Sequence, residues 1–171
     1  MRATLPLTVA VIAILAAPVV GCAEVEPRGG APMPLINSLG APIGTVRAWQ
    51  TSGGVAFRIE ASGLPHGVHG LHVHGVGRCD PPGFTTAGAH WNPTGRKHGK
   101  DNPAGMHKGD LPNLLVGTDG RGSFEITIPD VHVDQLRAGD GSAVVIHAAP
   151  DDFRTDPSGN SGARIACGVL G

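Results

Sequence analysis

The chain has 171 residues, among them 27 Gly and 15 Pro, with four Phe, two Trp, no Tyr and a formal charge of −1. Gly and Pro at this level exclude a long-helix fold, and 40% hydrophobic residues exclude a disordered chain. The near-neutral charge and the few aromatics argue against a nucleic-acid partner, since neither a basic face nor stacking rings are available.

Residues 1–22 read MRATLPLTVAVIAILAAPVVGC. Arg2 is the only charged side chain before Glu24, and the apolar run from Leu5 to Val20 is long for a secretory core and short for a spanning helix. Val19-Val20-Gly21-Cys22 resembles a bacterial lipobox, in which the cysteine is lipidated and becomes the first mature residue. This predicts a lipoprotein signal peptide over 1–21, a lipid-anchored Cys22, and a Pro/Gly-rich tether over 22–34. The chain is then extracytoplasmic, held on the bacterial cell membrane or outer membrane and facing periplasm or exterior. An uncleaved anchor, or an ordinary signal with an incidental cysteine, is the alternative. If Cys22 is lipidated, Cys79 and Cys167 remain as an even pair where disulfides persist; two buried thiols are the other reading.

From residue 35 to 171 a single domain is expected. Val55, Phe57, Ile59 and Ala61 alternate with more polar neighbours, as a half-buried strand requires, and Phe124, Ile126 and Ile128 repeat the pattern. Leu114-Leu115-Val116 precedes Asp119-Gly120, which reads as a hairpin turn into the 124–128 run. Further strands are expected at 33–38, 43–50, 68–75, 142–149 and 163–169. About eight short strands without a helix pattern predict an all-β antiparallel sandwich or barrel. Residues 76–112 break the alternation and are crowded with Gly, Pro, His and Asp. A loop of that length inside a compact domain needs something to order it, and its side chains suggest a metal.

His72 and His74 lie two apart in a strand pattern, so their rings share one face. His147 ends the apolar run Ala143-Val144-Val145-Ile146, and the loop adds His90, His98, His107 and Asp110 as H-x7-H-x8-H-x2-D. Three imidazoles and a carboxylate suit tetrahedral zinc, and several imidazoles with an open position suit copper.

The runs GLHVHGVG (70–77), AGAHWNP (87–93), KHG (97–99), MHKGDLPN (106–113) and GNSGARIACGV (159–169) resemble the copper–zinc superoxide dismutase family, over essentially all of 35–171. The resemblance implies an eight-stranded Greek-key sandwich or barrel with a long metal-binding loop, and one copper and one zinc ion per subunit. It implies copper ligands at His72, His74, His90 and His147, and zinc ligands at His90, His98, His107 and Asp110, with His90 bridging both. It implies Arg164 as the cation beside the open copper position, and Asp151 as the carboxylate joining a copper histidine to a zinc histidine. It also implies a disulfide between Cys79 and Cys167. The implied reaction is dismutation of superoxide to dioxygen and hydrogen peroxide by copper cycling between Cu(II) and Cu(I), with His90 and Arg164 as the catalytic residues. Superoxide is the implied substrate, and a homodimer is among the assemblies the family forms.

His69 faces away from His72 by strand alternation and is expected to pack structurally; His66 and His132 are expected to be solvated. Trp49 and Trp91 are read as packing residues. Lys97 and Lys100, near the site in sequence, and Arg154 are candidates for attracting an anion, with a solvated surface as the other reading; the 147–164 segment is shorter than in the animal enzymes, and their cluster of guiding charges has no clear counterpart here. Two other functions compete with the enzyme. One is a non-catalytic copper/zinc-binding lipoprotein; the other is a sandwich with a purely structural zinc clip, which leaves His72, His74 and His147 without a role.

Overall fold

The computed structural model describes Met1 and residues 30–171; the expected signal peptide, Cys22 and most of the tether lie outside the described residues. Nine strands are present: β1 (Met33–Asn37), β2 (Pro42–Thr51), β3 (Gly54–Ala61), β4 (Gly67–His69), β5 (Leu71–His74), β6 (Leu114–Val116), β7 (Gly122–Ile128), β8 (Ser142–His147) and β9 (Arg164–Leu170). All ladders between them are antiparallel, in the order β5-β8-β9-β1-β2-β3-β7, with β4 paired to β6. β4 and β5 are two halves of one extended run interrupted at Gly70, so the eight-stranded expectation describes the same curled sheet.

Alternation decides what the sheet encloses. Leu71 and Val73 of β5, Val144 and Ile146 of β8, and Leu35, Val46, Phe57 and Ile59 of the far strands form one buried core. The intervening residues of β5 and β8 therefore point to the outer face of the sheet. There a smaller cluster of Phe84, Ala87, Ala143, Val145 and Cys167 forms, and there His72 and His74 are carried.

Two expectations need correction. Asp119-Gly120 does turn the chain, with the Gly117 amide donating to the Arg121 carbonyl at 2.8 Å, but β6 ladders with β4 and β7 with β3. The turn is a corner between sheets, because β6 is only three residues long and its neighbour in space is β4. A short helix, α1 (Val133–Arg137), also forms where none was expected. Gln135 Oε1 accepts the His132 amide at 2.7 Å, and Val133 and Leu136 are buried, so tertiary packing sustains a helix too short to stand alone.

Between β5 and β6 the long loop holds only a 3₁₀ turn, Thr85–Ala87, and single bridges such as His72 to Asp110 and His74 to His90. The Cys79–Cys167 disulfide ties its first part to β9 across 88 positions of sequence. Replacing both cysteines by serine is expected to cost about 2–5 kcal/mol of unfolding free energy. Urea denaturation of wild type and variant checks this, and an unchanged midpoint would mean the loop is held without the bridge.

Candidate metal centre

Two groups of donors converge on the outer face of β5 and β8. His72, His74, His90 and His147 form one, and His90, His98, His107 and Asp110 the other; within each group the candidate ligand atoms lie within 4.8 Å of one another. β5 supplies His72 and His74, with ring centroids 6.4 Å apart. β8 supplies His147 where its register with β9 shifts, and the long loop supplies the rest. The loop is seated by backbone bonds: the Val73 amide donates to the Gly109 carbonyl and the Trp91 amide to the Val73 carbonyl, both at 2.8 Å.

In the first group every ring has one nitrogen engaged and one bare. His74 Nδ1 donates to the Gly88 carbonyl (2.9 Å), His147 Nδ1 to the Gly162 carbonyl (3.2 Å), and His72 Nε2 to Asp151 Oδ2 (2.8 Å). Carbonyl oxygens only accept, so these contacts set the tautomers and leave lone pairs on His74 Nε2, His147 Nε2 and His72 Nδ1. Those three atoms, together with His90 Nε2, are buried without any hydrogen-bond partner. Converging bare imidazole nitrogens fit a cation that takes nitrogen donors, and four imidazoles suit copper.

The second group has the donor spacing of a tetrahedral ion. Asp110 Oδ1 stands 3.0 Å from the Nδ1 atoms of His90, His98 and His107 alike, and His90 and His107 Nδ1 are 3.4 Å apart. A tetrahedral zinc with bonds of about 2.0–2.1 Å has donor–donor edges of about 3.3 Å. Asp110 Oδ2 is occupied by the amides of Gly99 (2.9 Å) and His107 (3.0 Å), which hold the carboxylate in place.

Asp151 couples the groups. Its Oδ2 accepts from His72 Nε2 and its Oδ1 from His98 Nε2, at 2.8 and 3.0 Å, and both carboxylate and rings are buried. Such a partner fixes the orientation of each ring and raises its basicity toward a metal. Arg164, half-buried at the start of β9 opposite His147, donates to the Phe84 carbonyl and the Gly88 carbonyl, both at 2.7 Å. Its charge is thereby brought close enough to His74 and His147 to help keep both rings neutral.

Burial dominates the electrostatics of the first group. Desolvation pushes His74 down to about 2, His147 to about 3 and His90 to about 4, and lowers His72 as well. In His98 burial opposes the charged ring, yet the hydrogen bonds to Asp110 and Asp151 outweigh it and raise the ring to about 9. Asp110 and Asp151 are held below the usual carboxylate range: burial works against their ionisation, and the imidazole hydrogen bonds overcome it.

The remaining histidines behave as expected, with one addition. His66 and His132 are exposed. His69 is buried, and its two ring nitrogens meet the His147 carbonyl (2.7 Å) and the Pro65 carbonyl (2.8 Å), so it braces the strand that ends in His147. Trp91 packs against the main core, and Trp49 lies under the Arg47 guanidinium at 5.4 Å. Lys97 pairs with Asp156 at 2.9 Å, Lys100 with Asp101 at 3.0 Å, and Arg154 is exposed.

Sequence reasoning missed three supporting residues. Asn113 grips the Asp151 backbone from both sides, donating to its carbonyl (3.0 Å) and accepting its amide (2.8 Å). Asp156 accepts the His98 amide at 2.8 Å. Gly159, at φ 64°, passes so close to the Asp151–His98 hydrogen bond that a Cβ would collide with Asp151 Oδ1 and lie 2.7 Å from His98 Nε2. Asn113 and Gly159 both fall inside the quoted motif runs, but their partners are 38 and 8 positions away in Asp151, which spacing alone does not reveal.

The sequence model of the family described as copper/zinc superoxide dismutase (SODC) matches residues 43–170. A superoxide dismutase [Cu-Zn] of Aquifex aeolicus is 42% identical over 144 residues, covering 80% of this chain and 84% of the relative. A superoxide dismutase-like protein of Bacillus subtilis superposes with a TM-score of 0.78 at 40% identity, covering 83% of this chain and 99% of that one. The Cu/Zn superoxide dismutase of Brucella abortus gives a TM-score of 0.67 at 29% identity, covering 82% and 99%.

Two predictions follow from the site's electrostatics and packing. In the metal-free protein His74, His90 and His147 sit below the ordinary 6.5, so they bind fewer protons folded than unfolded. The stability they contribute is present above pH 6.5 and is lost as pH falls through about 4 for His90, about 3 for His147 and about 2 for His74, at up to about 1.4 kcal/mol per pH unit for each ring. His98 acts oppositely, contributing below pH 6.5 and losing that contribution as pH rises through about 9. Urea unfolding of the metal-free protein is expected to show greatest stability near neutrality and a steep fall from pH 6.5 to 5; a flat profile there would contradict buried neutral rings. Separately, Asn113→Ala and Gly159→Ala are each expected to weaken zinc retention about 10–100-fold, measured by competition with a chromogenic chelator.

Proposed function

The chain belongs to the copper/zinc superoxide dismutase family, and from that premise we propose that it converts two superoxide ions and two protons to dioxygen and hydrogen peroxide. The observation that carries this reading is the convergence of four buried, unpartnered imidazole nitrogens beside a guanidinium held by the Phe84 and Gly88 carbonyls. His72, His74, His90 and His147 would hold copper, and His90, His98, His107 and Asp110 would hold zinc. Copper there supplies a one-electron couple between Cu(II) and Cu(I), while zinc supplies fixed charge without redox chemistry.

The chain's own residues do the rest. Neutral rings at His74 and His147 are ready to ligate at physiological pH without first shedding a proton, whereas His90, in holding both metals, would have to lose its ring N–H. Imidazoles also withstand a changing oxidation state that would oxidise thiolates. His90 Nε2, buried and free of any hydrogen-bond partner, is the atom that takes up a proton and hands it to the departing peroxide. Arg164 draws the substrate anion and orients it; its planar guanidinium stays charged at every relevant pH. Both of its terminal nitrogens donate to carbonyls, so the cation is positioned before substrate arrives.

A non-catalytic metal-binding role competes, and one assay separates the two. The copper- and zinc-loaded protein is expected to consume superoxide, with His72→Ala reducing the rate at least about 100-fold and Arg164→Ala about 10-fold or more. An inactive, fully metallated wild type would reduce the reading to metal binding. Unchanged activity in His72→Ala would overturn the ligand assignment.

We also propose that the chain is exported and lipid-anchored through Cys22. The Cys79–Cys167 disulfide supports an oxidising compartment, and the lipobox-like run supports the anchor. Mass spectrometry of the membrane fraction is expected to find a diacylglyceryl modification on Cys22; an unmodified N-terminus downstream of it would overturn the anchor.

A further inference from the structure

Beside the zinc group, a groove of about 670 Å³ lies between the long loop and the end of β7. That volume lies within the range of small-molecule sites, roughly 300–1,000 Å³, which are mostly apolar with a few placed polar groups. Its apolar lining includes Met106, Ile126, Ile128 and Pro129, and Met106 is 39% exposed although it sits next to the buried His107. Three cations stand on its walls: Arg96, Lys100 and Lys108.

The charge is uneven. Among the described residues, no carboxylate pairs with Arg96 or Lys108; Lys108 Nζ reaches only the Pro129 carbonyl, at 3.2 Å. Lys100 pairs with the exposed Asp101 and lies 4.5 Å over the Phe153 ring. The one acidic residue in the groove wall, Asp110, has both oxygens committed to imidazoles and amides. The groove is thus lined by apolar side chains and by cations, with no free acid to neutralise it.

We propose that this groove binds a single-chain amphiphilic anion, a long-chain alkyl carboxylate, with its tail along the Met106–Ile126–Ile128 lining and its head between Arg96 and Lys108. An apolar lining alone would accept any alkyl chain; the unpaired guanidinium and ammonium select an anionic head, and a planar carboxylate matches the guanidinium bidentately. An extended acidic peptide is a poorer match, because the apolar lining offers few groups to satisfy a peptide backbone. The groove shares His107 and Asp110 with the zinc group but is lined by none of the copper-group histidines and not by Arg164.

Methyl-¹³C methionine labelling tests it directly. The chain has three methionines: Met106 reports the groove, while Met33, in β1 and against Gly171, reports the fold elsewhere. In the full chain carrying zinc and reduced copper, decanoate below its micellar concentration is expected to shift the Met106 signal saturably and leave Met33 unmoved. Affinity is expected to rise about fourfold per added methylene from octanoate to dodecanoate. The double variant Arg96→Ser/Lys108→Ser should weaken decanoate at least tenfold with the Met33 signal unchanged, and decyltrimethylammonium should bind wild type at least tenfold more weakly than decanoate. The proposal is overturned if Met106 does not titrate, if the cationic and anionic amphiphiles bind alike, or if only a polyglutamate peptide shifts it. It is equally overturned if Met106 shifts with protein concentration alone, which would assign the groove to a second copy.

Discussion

Four imidazole nitrogens, on His72, His74, His90 and His147, are buried with no hydrogen-bond partner among the described residues. Leaving buried polar atoms unpaired costs on the order of 1–3 kcal/mol each. They converge as one set beside the His90, His98, His107 and Asp110 group, and a cation held there would offset that cost. The neutral state of the rings follows from the same burial. Desolvation, more than any neighbouring charge, drives His74, His147 and His90 far below their ordinary value. The energetic liability of the metal-free fold and the readiness of the donors are thus one physical fact.

Such a site cannot be placed inside a barrel whose interior is already filled by Leu, Val, Ile and Phe. It sits on the outer face of β5 and β8, where strand alternation sends the residues between the core positions. An outer face would ordinarily be wet. The long loop dries it, and the loop is held in turn by the disulfide, by the backbone bonds of Val73 to Gly109 and Trp91, and by Asp151. Gly88 illustrates the economy of the arrangement, since its single carbonyl accepts both from His74 and from Arg164. One loop atom therefore sets the tautomer of a donor and the position of the cation beside it. The same loop, seen from its other side, forms a wall of the cationic groove, so the segment that dries the metal sites also presents Arg96, Lys100 and Lys108 to solvent.

Much of this was legible in the chain. The strand expectations at 33–38, 43–50, 142–149 and 163–169 each meet a strand within two residues of the observed bounds, because a half-buried strand writes its burial into every second residue. The motif runs held every donor that the structure brings into the two groups except His147, which stood at the end of the apolar strand run Ala143-Val144-Val145-Ile146. The misses share a cause. Asp119-Gly120 is a true turn, yet whether the strands it joins pair with each other depends on what lies beside them in space. Val133–Arg137 is too short to carry a helical period, and only burial of Val133 and Leu136 makes it a helix.

The chain alone carries what is local or chemical: strand periodicity and which residue types are able to hold metal. Tertiary structure alone decided which ring nitrogen of each histidine is bare, since that depends on carbonyls of Gly88 and Gly162 and on the Asp151 carboxylate, each at least 14 positions away. It also decided that Asn113 grips Asp151 and that Gly159 must lack a side chain. These are contacts between segments brought together by the curled sheet, and no period or spacing along the chain encodes a distance between two such segments. Tautomer, proton affinity and orientation all depend on such distances, so the residue types of the metal centre are written in the chain while its chemistry appears only in the fold.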